Sequence, residues 1–211
     1  MNLRTLALAA TVVTLSALPA SAAVITLDFE GVGDLNAVGN FYAGQGVTFS
    51  PATLALVDSD AGGSGNFANE PTPDTIMFFL DSNNAILNFA AGFQTGFSFF
   101  YSSSVAAVVN VWSGVNATGV LLGSIGINAG GNTGTNGDPT GTFDLWTVGF
   151  LAFAGTAQSI DFGGTANQTG YDNITFGSID PSGIPLPAAL PLLLAGLAGL
   201  GALGARRRKT A

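Results

Sequence analysis

The sequence predicts an all-β chain, an antiparallel β-sandwich of the jelly-roll type, followed by one C-terminal transmembrane helix. Three observations predict it. Residues 24–176 break into about eleven short runs rich in Phe, Val, Ile and Thr, separated by Gly, Asn, Asp and Ser, the composition of strands and turns. Between residues 24 and 178 no helix-length stretch repeats its apolar residues at the helical period. A sustained apolar run without a charge comes only later, over residues 188–205. As a helix rising about 1.5 Å per residue it would span roughly 27 Å, close to the hydrocarbon thickness of a bilayer.

Taken in order, the first predicted strand is 24–29. Runs 46–50 and 53–57 are expected to pair around Pro51 and Ala52, and 75–80 and 85–89 flank the turn sequence Asp81, Ser82, Asn83, Asn84. Strands 96–102, 105–113, 119–127, 142–153, 158–162 and 171–176 follow. In the first of these, Phe97, Phe99 and Tyr101 alternate onto one face with Phe100 on the other. Short strands at even spacing argue for a sandwich. Two long polar loops interrupt them, 58–74 and 128–141, and loops of that length in a compact domain are often functional.

The ends of the chain read as targeting segments. Arg4 precedes an apolar stretch over residues 6–18, and Ala20, Ser21, Ala22 fit the small-x-small pattern for cleavage before Ala23. The expected organisation is therefore a signal peptide over 1–22, an exported domain over 23–176, a linker over 177–183 and a C-terminal segment over 184–211. All five cations lie in the end segments (Arg4, Arg206, Arg207, Arg208, Lys209), and all thirteen acids lie between Asp28 and Asp180. The exported part thus has no Lys, Arg, His or Cys. That excludes Ser-His-Asp and Cys-His catalysis, a Lys Schiff base, disulfides and Cys zinc sites. Nucleic acid is excluded as a partner, because its binding rests on Lys and Arg neutralising phosphates. Calcium, a hard ion for carboxylates, is the natural compensation for so many unpaired acids.

The C-terminal segment has three parts: Ile184, Pro185, Leu186, Pro187 and Ala188, then the apolar run, then the basic tail Arg206, Arg207, Arg208 and Lys209. A plain single-span anchor with a cytoplasmic basic end is one reading. Motif, span and tail in this order also resemble the PEP-CTERM sorting signals of Gram-negative bacteria. They resemble in particular the variant named for Val-Pro-Leu-Pro-Ala, with Ile184 in the place of Val. The resemblance implies recognition by an exosortase, transient anchoring in the inner membrane, and delivery to the cell surface or extracellular matrix.

Three side-chain groups are candidates for function. Asp28 and Glu30 on the first strand share one face by alternation, and Asp172 on the last shares its face with Ile174 and Phe176, expected to be the core side. A carboxylate there needs a partner. Either turn amides supply it, or a calcium ion held by Glu30, Asp172 and Asp28 does so. At this point the domain resembles other PEP-CTERM exported regions, which open and close with similar strands. It is more loosely similar to galactose-binding-like jelly rolls and carbohydrate-binding modules, several of which hold a structural calcium between terminal strands. Asp58 and Asp60 have an Asp-x-Asp spacing but lack the remainder of an EF-hand loop, so a solvated turn competes with a second metal site. Trp112 and Trp146 suit sugar stacking by residue type, with core packing as the alternative.

The expected function is that of a non-enzymatic exported protein with a structural or carbohydrate-binding role in an exopolysaccharide or biofilm matrix. A carboxylate-dependent glycoside hydrolase and a passive coat protein without a specific ligand are the alternatives.

Overall fold

Eleven strands carry the fold in the computed structural model, which describes residues 24–134 and 141–181. They are β1 (Ile25–Leu27), β2 (Val47–Phe49), β3 (Leu54–Val57), β4 (Thr75–Phe78), β5 (Asn84–Phe93), β6 (Gly96–Ser103), β7 (Ala107–Gly114), β8 (Thr118–Ile127), β9 (Thr147–Ala152), β10 (Ala157–Gly163) and β11 (Thr169–Phe176). One sheet has the order β3-β4-β11-β6-β9, with β1 also paired to β11; the other has the order β2-β5-β10-β7-β8. All pairings between named strands are antiparallel. Only β3–β4 and β7–β8 are neighbours both along the chain and within a sheet; every other consecutive pair crosses from one sheet to the other.

Alternation places the aromatic residues between the sheets. Phe97, Phe99 and Tyr101 are buried while Phe100 is only half-buried, as their spacing predicts. Phe99 meets Phe162 of the opposite sheet edge-on at 5.6 Å, and Phe162 meets Tyr171 at 4.9 Å. The Tyr171 hydroxyl, the polar end of a wholly buried ring, donates to the Gly163 carbonyl. Gly149 lets this core close: a Cβ there would lie 2.5 Å from the Phe99 ring.

Three expectations are corrected. The runs around Pro51 and Ala52 do not pair, because β2 and β3 lie in different sheets. The chain passes between the layers in a turn closed by Thr53 N–H to the Ser50 carbonyl (3.0 Å), with Ser50 N–H already bound to Ile86 of β5 (2.8 Å). The strand expected over 142–153 starts at Thr147, because Phe143 bridges to Phe67 and Asn132 instead of entering the sheet. Asp172 does not share a face with Ile174 and Phe176. A bulge lies between Asp172 and Thr175, with Asn173 at φ +49°, a left-handed conformation that Asn tolerates. The bulge puts Tyr171, Ile174 and Phe176 into the core and sets Asp172 beside Phe100 on the outward row.

β11 is the axis of its sheet. One flank pairs with β6; the other is shared by β4, opposite Gly170 and Tyr171, and β1, opposite residues 174–176. The gap between β4 and β1 falls at Asp172 and Asn173. Beyond β11, part of the expected linker is fastened to the sheet: Gly177 N–H binds the Gly96 carbonyl (3.0 Å) and the Ser98 hydroxyl binds the Ser178 carbonyl (3.0 Å). Among the described residues no helix is long and apolar enough to cross a membrane. The expected signal peptide, sorting motif, apolar run and basic tail lie outside the described residues.

Candidate functional site

The two long polar loops meet over the outer face of the first sheet. Each carries a large aromatic side chain, Phe67 in the first and Phe143 in the second, and these two residues form a parallel β-bridge. Ala68 N–H donates to the Phe143 carbonyl (3.1 Å), while Phe143 N–H and Thr142 N–H both donate to the Asn66 carbonyl (3.1 and 2.7 Å). Trp146 fastens the junction through its indole N–H to the Ala68 carbonyl (3.0 Å) and meets Phe67 edge-on at 6.4 Å. The second loop is anchored behind by Gly131, whose N–H binds the Ser103 carbonyl (2.7 Å). A Cβ at Gly131 would stand 2.4 Å from the Ser103 nitrogen, so this close approach requires glycine.

Between the bridged loops and the sheet lies a shallow cleft. Its floor is Ile76 and Phe78 of β4, Gly170 of β11 and Ser102 of β6; its walls are Phe67, Phe143 and Trp146; the exposed amides Asn66 and Asn167 stand at its rim. Gly170 lets Ile76 pack directly against the β11 backbone at the floor: a Cβ there would lie 2.6 Å from the Ile76 Cδ1 and 3.7 Å from the Trp146 ring. Phe67, Ile76 and Phe78 belong to a second apolar cluster, separate from the inter-sheet core, against which Phe143 and Trp146 pack half-buried. Among the described residues, none that lines the cleft carries a carboxylate. Phe67, Ile76 and Phe78 are buried, so what the cleft can offer a ligand ring is the half-exposed Phe143 and Trp146 with amide groups at their edge.

The carboxylates singled out from the sequence form a second locus, at the gap between β1 and β4. Phe29, at φ +63°, ends the first strand and turns Glu30 toward the start of β4. Glu30 Oε1 accepts N–H groups from Asp74 (3.0 Å) and Thr75 (2.9 Å), and Oε2 accepts the Thr75 hydroxyl (3.1 Å). Asp172, wholly buried, accepts the Thr72 N–H (3.1 Å) and hydroxyl (2.8 Å) on Oδ2 and the Asn173 N–H (2.7 Å) on Oδ1. Asp28 accepts the Tyr42 hydroxyl at 3.3 Å. Burial pushes the Asp172 carboxyl up to about 8 against the opposing pull of the Thr72 and Asn173 hydrogen bonds, and the nearby Glu30 charge adds to the rise. Burial likewise raises the Tyr42 hydroxyl.

The structure therefore brings Glu30 and Asp172 together and gives both of them turn amides, one of the two expected kinds of partner. As a cation site the locus is suitable in kind: it offers two carboxylates, the Thr72 hydroxyl and, 3.5 Å from that hydroxyl, the Asp28 carbonyl. It falls short in number, since among the described residues no three His, Cys, Asp or Glu side chains converge. A calcium ion, with six to eight oxygen ligands, would have to turn the Thr72 and Thr75 hydroxyls from donors into ligands. Asp58 is a buried turn former, with its Oδ1 on Ser59 N–H (2.6 Å) and its carbonyl on Gly63 N–H (2.8 Å), while Asp60 is exposed.

The two tryptophans part company. Trp146 is a wall of the cleft. Trp112 lies in the other sheet, paired with Ser159 and Leu121, half-buried, with its indole nitrogen enclosed and without a hydrogen-bond partner. Phe67, Phe143, Asn66 and Asn167 are site residues that the sequence does not single out. Phe67 stands as a lone Phe inside the first long loop, whereas Phe143 reads as part of the strand expected over 142–153.

No family model matches the chain, and no curated protein matches it. Loose likenesses exist among solved structures. One is a family 6 carbohydrate-binding module studied by X-ray crystallography and isothermal titration calorimetry to dissect its binding sub-sites. It aligns over 61% of this chain and 85% of its own, with 16% identity and a TM-score of 0.37. Another is a carbohydrate-binding module from Cellvibrio mixtus lichenase 5A in complex with cellotriose, over 61% and 88%, with 16% identity and a TM-score of 0.35. Likeness of this degree carries no argument about what this chain binds.

Proposed function

We propose that this protein is a non-catalytic, exported jelly-roll module that binds glycan through the cleft between its two long loops. The single observation that carries the reading is the aromatic-walled cleft, with amides at its rim and, among the described residues that line it, no acidic or basic side chain. The regular crossing of consecutive strands between the two sheets supports the jelly-roll assignment. The tripartite C-terminus supports sorting by an exosortase-type enzyme to the surface or extracellular matrix of a Gram-negative cell. A structural calcium at Glu30 and Asp172 is part of the same proposal, and the polysaccharide of that matrix is the partner.

Affinity electrophoresis tests the binding. The full chain, in a polyoxyethylene detergent that carries no sugar headgroup, should be retarded in gels cast with a bound polysaccharide and should release no reducing sugar from it. Trp146→Ala and Phe143→Ala should each weaken the retardation, because removing an aromatic partner costs a stacked ring about 0.5–1.5 kcal/mol, at most roughly a tenfold weakening. Retardation unchanged in both variants would move the site elsewhere.

The sorting half has its own test. Replacing Pro185 and Pro187 with Ala should leave an unprocessed, membrane-retained species in the native host. Normal processing of that variant would favour the plain anchor.

A further inference from the structure

We propose that the cleft takes uncharged pyranose units and rejects uronate or sulfated ones. This deepens the glycan reading above and rests on it. Two independent observations define the ligand class.

The first is the cleft's own chemistry. Its walls are hydrocarbon rings, and the exposed polar groups at its edge, Asn66 and Asn167, are neutral amides that both donate and accept. The indole N–H of Trp146 and the hydroxyl of Ser102 are already bound to the Ala68 and Gly131 carbonyls, and Asn66 spends one amide N–H on the Thr142 hydroxyl (3.1 Å). What remains suits a ring with an apolar C–H face and hydroxyls around it. No cation is present among the lining residues to neutralise an anionic substituent.

The second is the field around the cleft. All thirteen acids of the chain lie between Asp28 and Asp180 and none of the five cations does. Acids also stand on the loops that build the walls. Asp144, between Phe143 and Trp146, takes the Thr133 N–H at 2.9 Å. Glu30 holds the far end of the loop that carries Phe67, through the N–H groups of Asp74 and Thr75. An acidic sugar entering the cleft would meet like charge from several sides, and salt screens such repulsion only beyond a Debye length, about 8 Å at 0.15 M. A protonated amino sugar would be drawn to the domain as a whole but would find no carboxylate in the lining to pair with. Its attraction should therefore be salt-sensitive and indifferent to Trp146.

The test is calorimetric titration of the full chain in the same sugarless detergent, at 0.15 M sodium chloride with EDTA. The probes are neutral gluco-, xylo-, manno- and galacto-oligosaccharides, galacturonate and mannuronate oligosaccharides, and glucosamine oligosaccharides. We expect at least one neutral series to bind, at least about tenfold more tightly than any uronate. That binding should weaken about tenfold in Trp146→Ala and measurably in Asn167→Gly, an exposed rim change that keeps the left-handed backbone conformation found there. Uronate binding of equal strength, lost in Trp146→Ala, would overturn the neutral-ligand assignment and leave the cleft as the glycan site. Glucosamine binding that is tightest of all at 0.15 M salt and lost in Trp146→Ala would do the same. If no neutral series binds, the glycan reading of the cleft fails and this inference falls with it.

Discussion

Asp172→Asn should flatten the pH dependence of thermal stability in metal-free buffer. In the parent, the folded-state carboxyl titrates at about 8, above its ordinary value of 3.8. The folded chain therefore holds the proton more tightly than the unfolded one. The stability linked to that proton is fully present below pH 4 and is lost as pH rises through 8. Each pH step of one between these two values removes up to about 1.4 kcal/mol, so the loss between pH 5 and pH 8 is on the order of 3–4 kcal/mol. For a chain of this size that lowers Tm by roughly 6–16 °C. The variant has no proton to lose, so its Tm should change far less across the same range and should equal or exceed that of the parent at pH 8. The measurement is calorimetric Tm in EDTA from pH 5 to pH 8. An equal slope in parent and variant would assign the effect to other carboxylates.

Calcium should act at the same place and in the opposite sense. At pH 8, with the ion in about hundredfold excess over Kd, binding to the native state alone adds about 2.7 kcal/mol, which raises Tm by roughly 5–10 °C. A proton on Asp172 competes with the ion, so the increment should shrink at pH 5. Glu30→Gln and Asp172→Asn should each remove most of it, while Asp81→Asn, on an exposed turn, should not. Working at 0.15 M sodium chloride separates the site from general screening. Identical melting in millimolar calcium and in EDTA would dispose of the ion and leave these carboxylates to the Thr72, Asp74, Thr75 and Asn173 amides and the Thr72 and Thr75 hydroxyls.

Much of the fold is legible in the sequence because strand composition and turn chemistry are local. Phe97, Phe99 and Tyr101 declare their face by alternation alone, and the structure buries all three. Sheet membership is not local: β2 and β3, a few residues apart, read as a hairpin but are parted by the cross-layer turn at Ser50–Thr53. Alternation misplaces Asp172 because one residue in a left-handed conformation shifts the pattern. The Asn that permits it, Asn173, is in plain view in the sequence. The meeting of Glu30 with the last strand is legible, because neither has a cation within the domain to turn to. The cleft is not, since it joins Phe67 of the first loop to Phe143, about 75 residues on and read from the sequence as strand, and such a pairing is decided by the sheet beneath them.

The pairing of β1 with the end of β11 gives the molecule an orientation. Ile25 lies opposite Phe176, so the polypeptide enters and leaves the sandwich at one pole. The cleft is built at the other end of β11, around Gly170, six residues away along a strand that rises about 3.3 Å per residue, or about 20 Å. The ends of the described sandwich therefore lie at one pole, and the aromatic walls stand over the sheet face near the other. A tether can be lengthened, shortened or cut there without touching the surface that would meet the surrounding polymer. In mechanical terms, a pull between polymer and tether would load β11 along its length, in shear across its hydrogen bonds to β6, where every rung of the ladder shares the force.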